Sequence, residues 1–499
     1  MQMKGQFYIN GQWVNPSREN TWAVIDPSTE EPCAFINLAS EEDVDAAVAA
    51  AKAALPSWRG TPVSERKAYV ERILELFERR RGEMAEAISK EMGAPIDLAY
   101  GEQAGSLAWH GRNFLEAIDR IEWSIPQGED GDTIIVKEPI GVVGLIIPWN
   151  WPMNQLALKV FPAMLAGCTC VLKPSEEAPL SSMLFAELVH EAGVPAGVFN
   201  LVNGDGATAG RRLSTHPDVE MISFTGSTRA GREVLKAAAD TFKLVTLELG
   251  GKGANVIFAD AGRKAVETGV VHMMENSGQS CNAPSRMLVE RPFYDEAVSI
   301  AAEVANATRV GPASEKGDHI GPVVNKRQWE NIQRLIQKGI EEGARLVAGG
   351  PGLPDGFNRG YYVRPTVFAD VRPGMTIERE EIFGPVLSII PFDTEEEAIR
   401  IANATPYGLA NYVESADPER RRRVARHLRA GMVHINHKSF APGTFFGGVK
   451  ASGRAREGGV WGIEEFLETR AISGWKDRAE TLRVGETPAL PSSFRVLSC

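Results

Sequence analysis

Cysteine is scarce: 5 stand in 499 residues, at Cys33, Cys168, Cys170, Cys281 and Cys499. So few, and odd in number, they make no disulfide framework and fit reduced thiols in a cytoplasmic protein. The 8 histidines show no ligand-like spacing with them, so no structural metal is expected. A basic excess is missing too. The 54 Lys+Arg against 65 Asp+Glu leave a net charge of −11, which argues against a nucleic-acid partner. A small anionic ligand needs only a local pocket and stays compatible with that charge. Residues 1–13 hold no apolar h-region, so no secretory leader is expected. Residues 139–158 are uncharged, but Pro148, Asn150, Pro152, Asn154 and Gln155 interrupt them. Helix breakers and polar groups at that density argue against a membrane partner. No internal repeat or low-complexity segment suggests a solenoid. What remains is an ordinary soluble composition, 43% hydrophobic and 24% charged, long enough for two to four domains at ~150 residues each.

Local patterns fill this frame. Asn10-Gly11 between apolar residues predicts a hairpin, since both tolerate positive φ. Ser40 with Asp43 predicts a capped helix running to about Ala54. Tyr69, Ile73, Leu76 and Phe77 recur at helical spacing and predict a second, longer helix. From residue 134 short apolar runs alternate with helical ones. Strands are predicted at 142–147, 169–172, 198–202, 221–224 and 244–249, and helices at 154–166, 180–192 and 230–239. This alternation predicts parallel strands with crossover helices, which bind ligands beyond the carboxyl ends of the strands. A second α/β region spans about 255–450, with helices near 266–274, 294–307 and 329–343 and an apolar run at 386–391. Residues 122–137 read as a hairpin arm with a charged turn, and 478–499 as a tail.

Five segments carry candidate chemistry. Cys281 lies among Gly278, Gln279 and Ser280 after a helical pattern; a polar, partly exposed setting makes a thiol a nucleophile. A small buried hydrophobe is the alternative, and Cys168 and Cys170 fit it well. Glu248 ends an apolar strand before two glycines, where burial would raise its pKa and make it a general base; a surface loop residue is the alternative. The run from Phe224 through Gly226 and Ser227 to Gly231 turns a strand into a helix whose free N–H groups suit a phosphate. It satisfies neither the dinucleotide fingerprint nor the Walker A pattern, so an ordinary turn competes with that reading. Lys173, Ser175 and Glu176 follow a strand and can meet a ribose, or simply solvent. Asn150, between Trp149 and Trp151, can donate to an oxyanion or belong to a packed aromatic turn.

Taken in order, PWNWP (148–152), KPSEEAP (173–179), FTGSTRAG (224–231), LELGGKG (247–253), GQSC (278–281), EEIFGPV (380–386) and FGGVKASG (446–453) resemble the NAD(P)-dependent aldehyde dehydrogenase superfamily. The resemblance implies an α/β fold in three parts. These are a Rossmann-type dinucleotide-binding domain (1–119 and 138–249), an α/β catalytic domain (250–450) and a small β oligomerisation arm (120–137 and 471–476), followed by a tail (477–499). It implies a homodimer or homotetramer. By resemblance Cys281 is the nucleophile, Asn150 with the Cys281 N–H the oxyanion hole, Glu248 the base that hydrolyses the thioester, and Lys159 and Glu457 a proton relay behind it. NAD, with NADP also admissible, would lie on Lys173 and Glu176 at its adenosine ribose. Gly206 and Trp149 would lie near the adenine half, Ser227 near the pyrophosphate, and Glu381 and Phe383 at the nicotinamide ribose. Ile147, Ser175, Gly226, Gly231 and Leu249 complete the cofactor set. Glu176 favours NAD, since its charge would repel a 2′-phosphate. The substrate pocket would comprise Trp151, Gln155, Leu158, Ser280, Asn282, Phe440 and Phe446. It suits an apolar aliphatic or aromatic aldehyde; His437 and Lys438 allow an anionic semialdehyde instead, or are rim residues in water. A Cys281 acyl transferase without NAD dependence, or a non-catalytic protein retaining the fold, are the rival readings.

Overall fold

The computed structural model describes residues 2–129 and 131–475; the expected tail lies outside the described residues. Among the described residues are two seven-stranded and two three-stranded sheets. The first large sheet runs Leu244–Glu248, Met221–Thr225, Val142–Ile146, Thr169–Lys173, Phe199–Leu201, all parallel. Every residue of Val142–Ile146, Thr169–Lys173 and Met221–Thr225 is buried. That is why these runs are apolar without alternation: helices cover both faces. The expected hairpin forms from Phe7–Ile9 and Gln12–Val14 with Asn10 at φ 53 and Gly11 at φ 74. It extends this sheet as an antiparallel edge, Tyr8 facing Leu201.

Helix starts follow their caps. Ser40 and Asp43 form the expected capping box on Glu41–Arg59. The helix passes the expected stop at Ala54 and continues through Pro56, because its last turn buries Trp58. Other helices also begin earlier than predicted, three of them for reasons visible in their first turns. Pro152–Ala166 starts on a proline, whose missing N–H costs nothing at the first turn. Thr228–Ala238 is capped by Ser227, whose hydroxyl accepts from the Ala230 N–H at 3.2 Å. Lys326–Glu341 is capped by Asn325, which accepts from the Gln328 N–H at 2.8 Å.

The second large sheet runs Arg345–Ala348, Thr366–Ala369, Val386–Phe392, Arg286–Glu290, Ala254–Ile257, Ala410–Glu414, Met432–Ile435, parallel except at the Arg345–Ala348 edge. Separate apolar cores form around it, one including Leu288, Ile336 and Phe392, the other Met287, Val266 and Ile389. Both large sheets belong to one compact unit, residues 1–121 and 139–467. The link between them is short: Leu244–Glu248 leads through 249–253 into Ala254–Ile257. Gly251 is required there, because a Cβ would collide with the Cys281 carbonyl. The link therefore carries Glu248 and Cys281 to the same place. A second unit, which among the described residues comprises 122–129, 131–138 and 468–475, pairs Ser124–Gln127 with Thr133–Pro139 as an antiparallel hairpin, and Leu467–Ser473 is the third strand of that sheet. This last strand begins earlier than the arm expected from 471. No helix among the described residues is long and apolar enough to cross a membrane.

Candidate active site

The Cys281 loop begins where Arg263–Met274 ends. Asn276, Ser277 and Gly278 then take positive φ in succession, 50, 56 and 70°. Left-handed non-glycine residues are strained and persist only where surroundings hold them. Ser277 Oγ donates to the Gly321 carbonyl at 2.6 Å, and a Cβ on Gly278 would collide with Gly384. Cys281 emerges lining a cavity of about 340 Å³, which Asn150 also lines. The Asn150 carboxamide Nδ2 donates to the Gln279 carbonyl at 3.0 Å, and Gln279 Oε1 accepts from the Val324 N–H at 2.9 Å. Asn150 carries a second N–H, so one donor remains for a bound oxygen.

Glu248 ends its strand only 2% exposed, and neither carboxylate oxygen has a hydrogen-bond partner. Burial raises its pKa well above the ordinary carboxylate value; the charge of Glu457 adds to this and Lys159 opposes it. Lys159 and Glu457 form a buried ion pair, and Lys159 Nζ also donates to Ser223 Oγ at 3.1 Å. Nearby Glu465 is pushed up to about 7 by burial. Burial also raises the Cys281 thiol, with Glu248 and Glu381 adding to the effect. The resting site is thus a thiol facing protonatable carboxyls, and nucleophile formation requires a proton to leave.

The carboxyl ends of the first sheet form the opposite wall. Thr225, Gly226 and Ser227 line the cavity where the chain enters Thr228–Ala238. Gly226 N–H donates to the Glu248 carbonyl at 3.0 Å, and Gly231 N–H to that of Ser227 at 2.9 Å. A Cβ on Gly231 would crowd Leu249, which also lines the cavity. Glu381 Oε1 accepts from the Gly251 N–H at 2.8 Å, and burial pushes this carboxyl up to about 7. Phe383 sits at φ 56, its carbonyl accepting from Gln328 Nε2 at 2.9 Å. Trp149 packs edge-on against Phe383, ring centroids 5.5 Å apart. Both rings line the cavity that Cys281 lines, and Gly206 does not.

Lys173, Ser175, Glu176 and Gly206 do not line this cavity. Lys173 Nζ donates to the carbonyls of Pro174 (2.8 Å) and Gly204 (2.7 Å) and lies 3.9 Å from Glu176. Ile147 is buried, its N–H donating to the Lys173 carbonyl at 3.1 Å. A helix N-terminus, a glycine turn and aromatic walls at the ends of parallel strands fit a dinucleotide. Sequence reading missed Asn325, Arg327, Gln328 and Asn331, which line the same cleft. The cap pattern at Asn325 was the signal that would have found them.

On the far side of Cys281, Trp151 Nε1 donates to Ser280 Oγ at 2.8 Å. Leu158 and Gln155 are buried on the same helix, Gln155 Oε1 without a partner. Phe446 and Cys281 pack on Leu409, Ala410, Tyr412 and Met432, and the Asn282 carbonyl accepts from the Tyr412 hydroxyl at 2.9 Å. Phe440 is 38% exposed against His434, centroids 4.3 Å apart. His437 departs from both expectations. It neither reaches outward nor sits in water, but stacks on Tyr412 with Nε2 3.4 Å from Glu414.

Comparison with known proteins agrees with this geometry. The profile described as the aldehyde dehydrogenase family matches residues 13–472. A Pseudomonas 3-succinoylsemialdehyde-pyridine dehydrogenase is 49% identical over 94% of this chain and 98% of its own. A Bartonella henselae aldehyde dehydrogenase crystal structure is 59% identical, with TM-score 0.94 over 95% of this chain and 100% of its own. A Pseudomonas syringae aldehyde dehydrogenase, crystallised as a cysteine-to-alanine mutant with NAD+ and octanal, is 48% identical, with TM-score 0.93 over 95% and 98% of the two chains. The chain therefore belongs to the aldehyde dehydrogenase family and is an NAD(P)-dependent oxidoreductase acting on aldehydes.

Proposed function

We propose that the chain converts an aldehyde to its carboxylic acid through a covalent adduct on Cys281, using NAD. The observation that carries this reading is Cys281 facing the same cavity as Asn150 and the Gly226–Ser227 turn, with Glu248 buried and unpartnered behind it. A neutral aldehyde holds its hydrogen without any electron push. The Cys281 thiol gives up its proton to solvent, and the thiolate adds to the carbonyl carbon, opening the C=O π bond to form a thiohemiacetal oxyanion, which Asn150 and the Cys281 N–H stabilise. Collapse of that charge expels the hydrogen with its electron pair; NAD, when bound, supplies the acceptor. The product is a thioester on Cys281. Glu248 then takes a proton from water, hydroxide adds, and the sulfur leaves as the acid forms. Glu457 and Lys159 hold or pass on the proton behind Glu248. Gly226, Ser227, Leu249, Glu381 and Phe383 hold the nicotinamide half and pyrophosphate, and Lys173, Ser175 and Glu176 the adenosine ribose.

Asn150→Ala tests the oxyanion assignment. Losing one preorganised donor is expected to lower kcat by ~10²–10³-fold at nearly unchanged NAD affinity. A kcat within a few-fold of wild type would reject the assignment. Trp151, Leu158 and Phe446 support a mainly apolar aliphatic or aromatic substrate. A kcat/KM panel of linear, aromatic and semialdehyde substrates decides between this and an anionic substrate, and a preference for the anionic ones would overturn it. Glu176 supports NAD over NADP. Glu176→Gln is expected to raise the NADP/NAD ratio of kcat/KM about 5–10-fold, the effect of removing roughly 1 kcal/mol of repulsion. An unchanged ratio would show that the carboxylate does not face the 2′ position.

A further inference from the structure

We propose that Gln103 is a positioning residue for aldehyde oxidation, its buried carboxamide fixing the separation between the Asn150 turn and the Cys281 loop. The inference rests on the oxyanion role assigned to Asn150 above. Gln103 lies far from both segments in sequence and is fully buried. It ends a five-residue π-helical turn, Ala99–Gln103, closed by the Ala104 N–H donating to the Ala99 carbonyl at 2.8 Å. Such turns interrupt the regular helical ladder and are frequent at functional sites.

Gln103 Nε2 donates to the Asn150 carbonyl at 2.9 Å and to Asn276 Oδ1 at 3.3 Å. Asn276 Nδ2 in turn donates to the Asn150 carbonyl at 3.0 Å and to the Gln279 carbonyl at 3.3 Å. The Gln279 carbonyl also receives Asn150 Nδ2. Two backbone carbonyls thus each gather two side-chain N–H donors, one carbonyl from the turn and one from the nucleophile loop. Gln103 belongs to neither segment and braces both. Its orientation has one solution: a flipped carboxamide would set Oε1 against the Asn150 carbonyl and Asn276 Oδ1, both acceptors. Oε1 itself has no partner, so packing alone does not explain a glutamine here. The brace also holds Asn276 in its left-handed conformation, three residues before the Gln279 carbonyl on which Asn150 rests. Without the Nε2 donor, Asn276 can turn and the remaining Asn150 N–H loses its aim. Misplacement by ~1 Å costs on the order of 10²-fold in rate.

Gln103→Met keeps the length and removes the donor. Expected is a ~10–100-fold fall in kcat per titrated active site, with NAD affinity held to about twofold. The isotope effect on kcat with an aldehyde deuterated at the carbonyl carbon should rise, because the oxidation step becomes slower. In an Asn150→Ala background the same substitution should add little, since both act through one donor. A purely structural role predicts loss of folded protein with normal kcat per site, or a full additive loss in the double variant; either result overturns the proposal. Should Gln103→Met not fold, Gln103→Asn, which retains the amide but falls one methylene short, takes its place in the same cycle. Unimpaired Asn150→Ala would defeat the oxyanion reading itself. Impaired Asn150→Ala with normal Gln103 variants would defeat only the brace.

Discussion

Cys281→Ala is expected to reduce aldehyde oxidation by ~10⁵-fold, the scale seen when an enzyme loses its nucleophile. No described thiol is placed to substitute. Cys168 and Cys170 are fully buried in or beside the first sheet, and Cys33 Sγ lies against the carbonyls of Val24 and Lys90. Burial raises the pKa of all three, as it does that of Cys281; what separates them is place, since Cys281 lines the cavity and none of the other described thiols does. NAD affinity should survive, because on the proposed reading the cofactor rests on the Gly226 turn, Leu249, Glu381 and Phe383, which the substitution leaves in place. Fluorescence titration of NAD beside a stopped-flow assay separates these effects. Turnover above about 1% of wild type would remove Cys281 from the nucleophile role.

Glu248→Gln should divide the reaction in two. The first turnover needs only Cys281 and the oxyanion donors, so a stoichiometric burst of reduced cofactor should persist. Steady turnover needs water activated by a base and should fall about 10²–10⁴-fold. The pH dependence follows from the sign of the shift. A carboxyl raised by burial is protonated at low pH and becomes a base as pH climbs through its elevated pKa. Wild-type steady turnover should therefore increase with pH over that range, and the Gln variant should lose this rise. Rapid-quench burst amplitudes with steady-state rates across pH make the comparison. A variant with normal steady turnover would mean that another group activates the water.

The two residues were legible for different reasons. Cys281 stood out by polar neighbours and Glu248 by its place at the end of an apolar strand, both features of short windows. The Gly226–Ser227 turn was visible as a strand-to-helix junction, and the alternation of strands and helices announced the first sheet. The amides around Cys281 were not legible. Gln103 and Asn276 carry no mark of their own, and Gln279, though named beside Cys281, gave no sign of its bonds; their partners come from distant segments such as the Asn150 turn. Nothing local marks such a residue as buried. The packing of Trp149 on Phe383 had no local cue either, because the two rings come from distant segments of the chain. The antiparallel docking of the first hairpin onto Phe199–Leu201 was likewise a tertiary fact with no nearby cue.

The bracing around Asn150 is made wholly of neutral carboxamides and backbone groups. Such groups neither ionise across the working range nor attract a screening ion cloud. The aim of the oxyanion donor should therefore be the same in dilute buffer and in concentrated salt, at acid and at alkaline pH. The limbs of a rate–pH curve then belong to the ionisable groups around Cys281 and Glu248 rather than to the brace, which makes that curve a readable record of proton traffic.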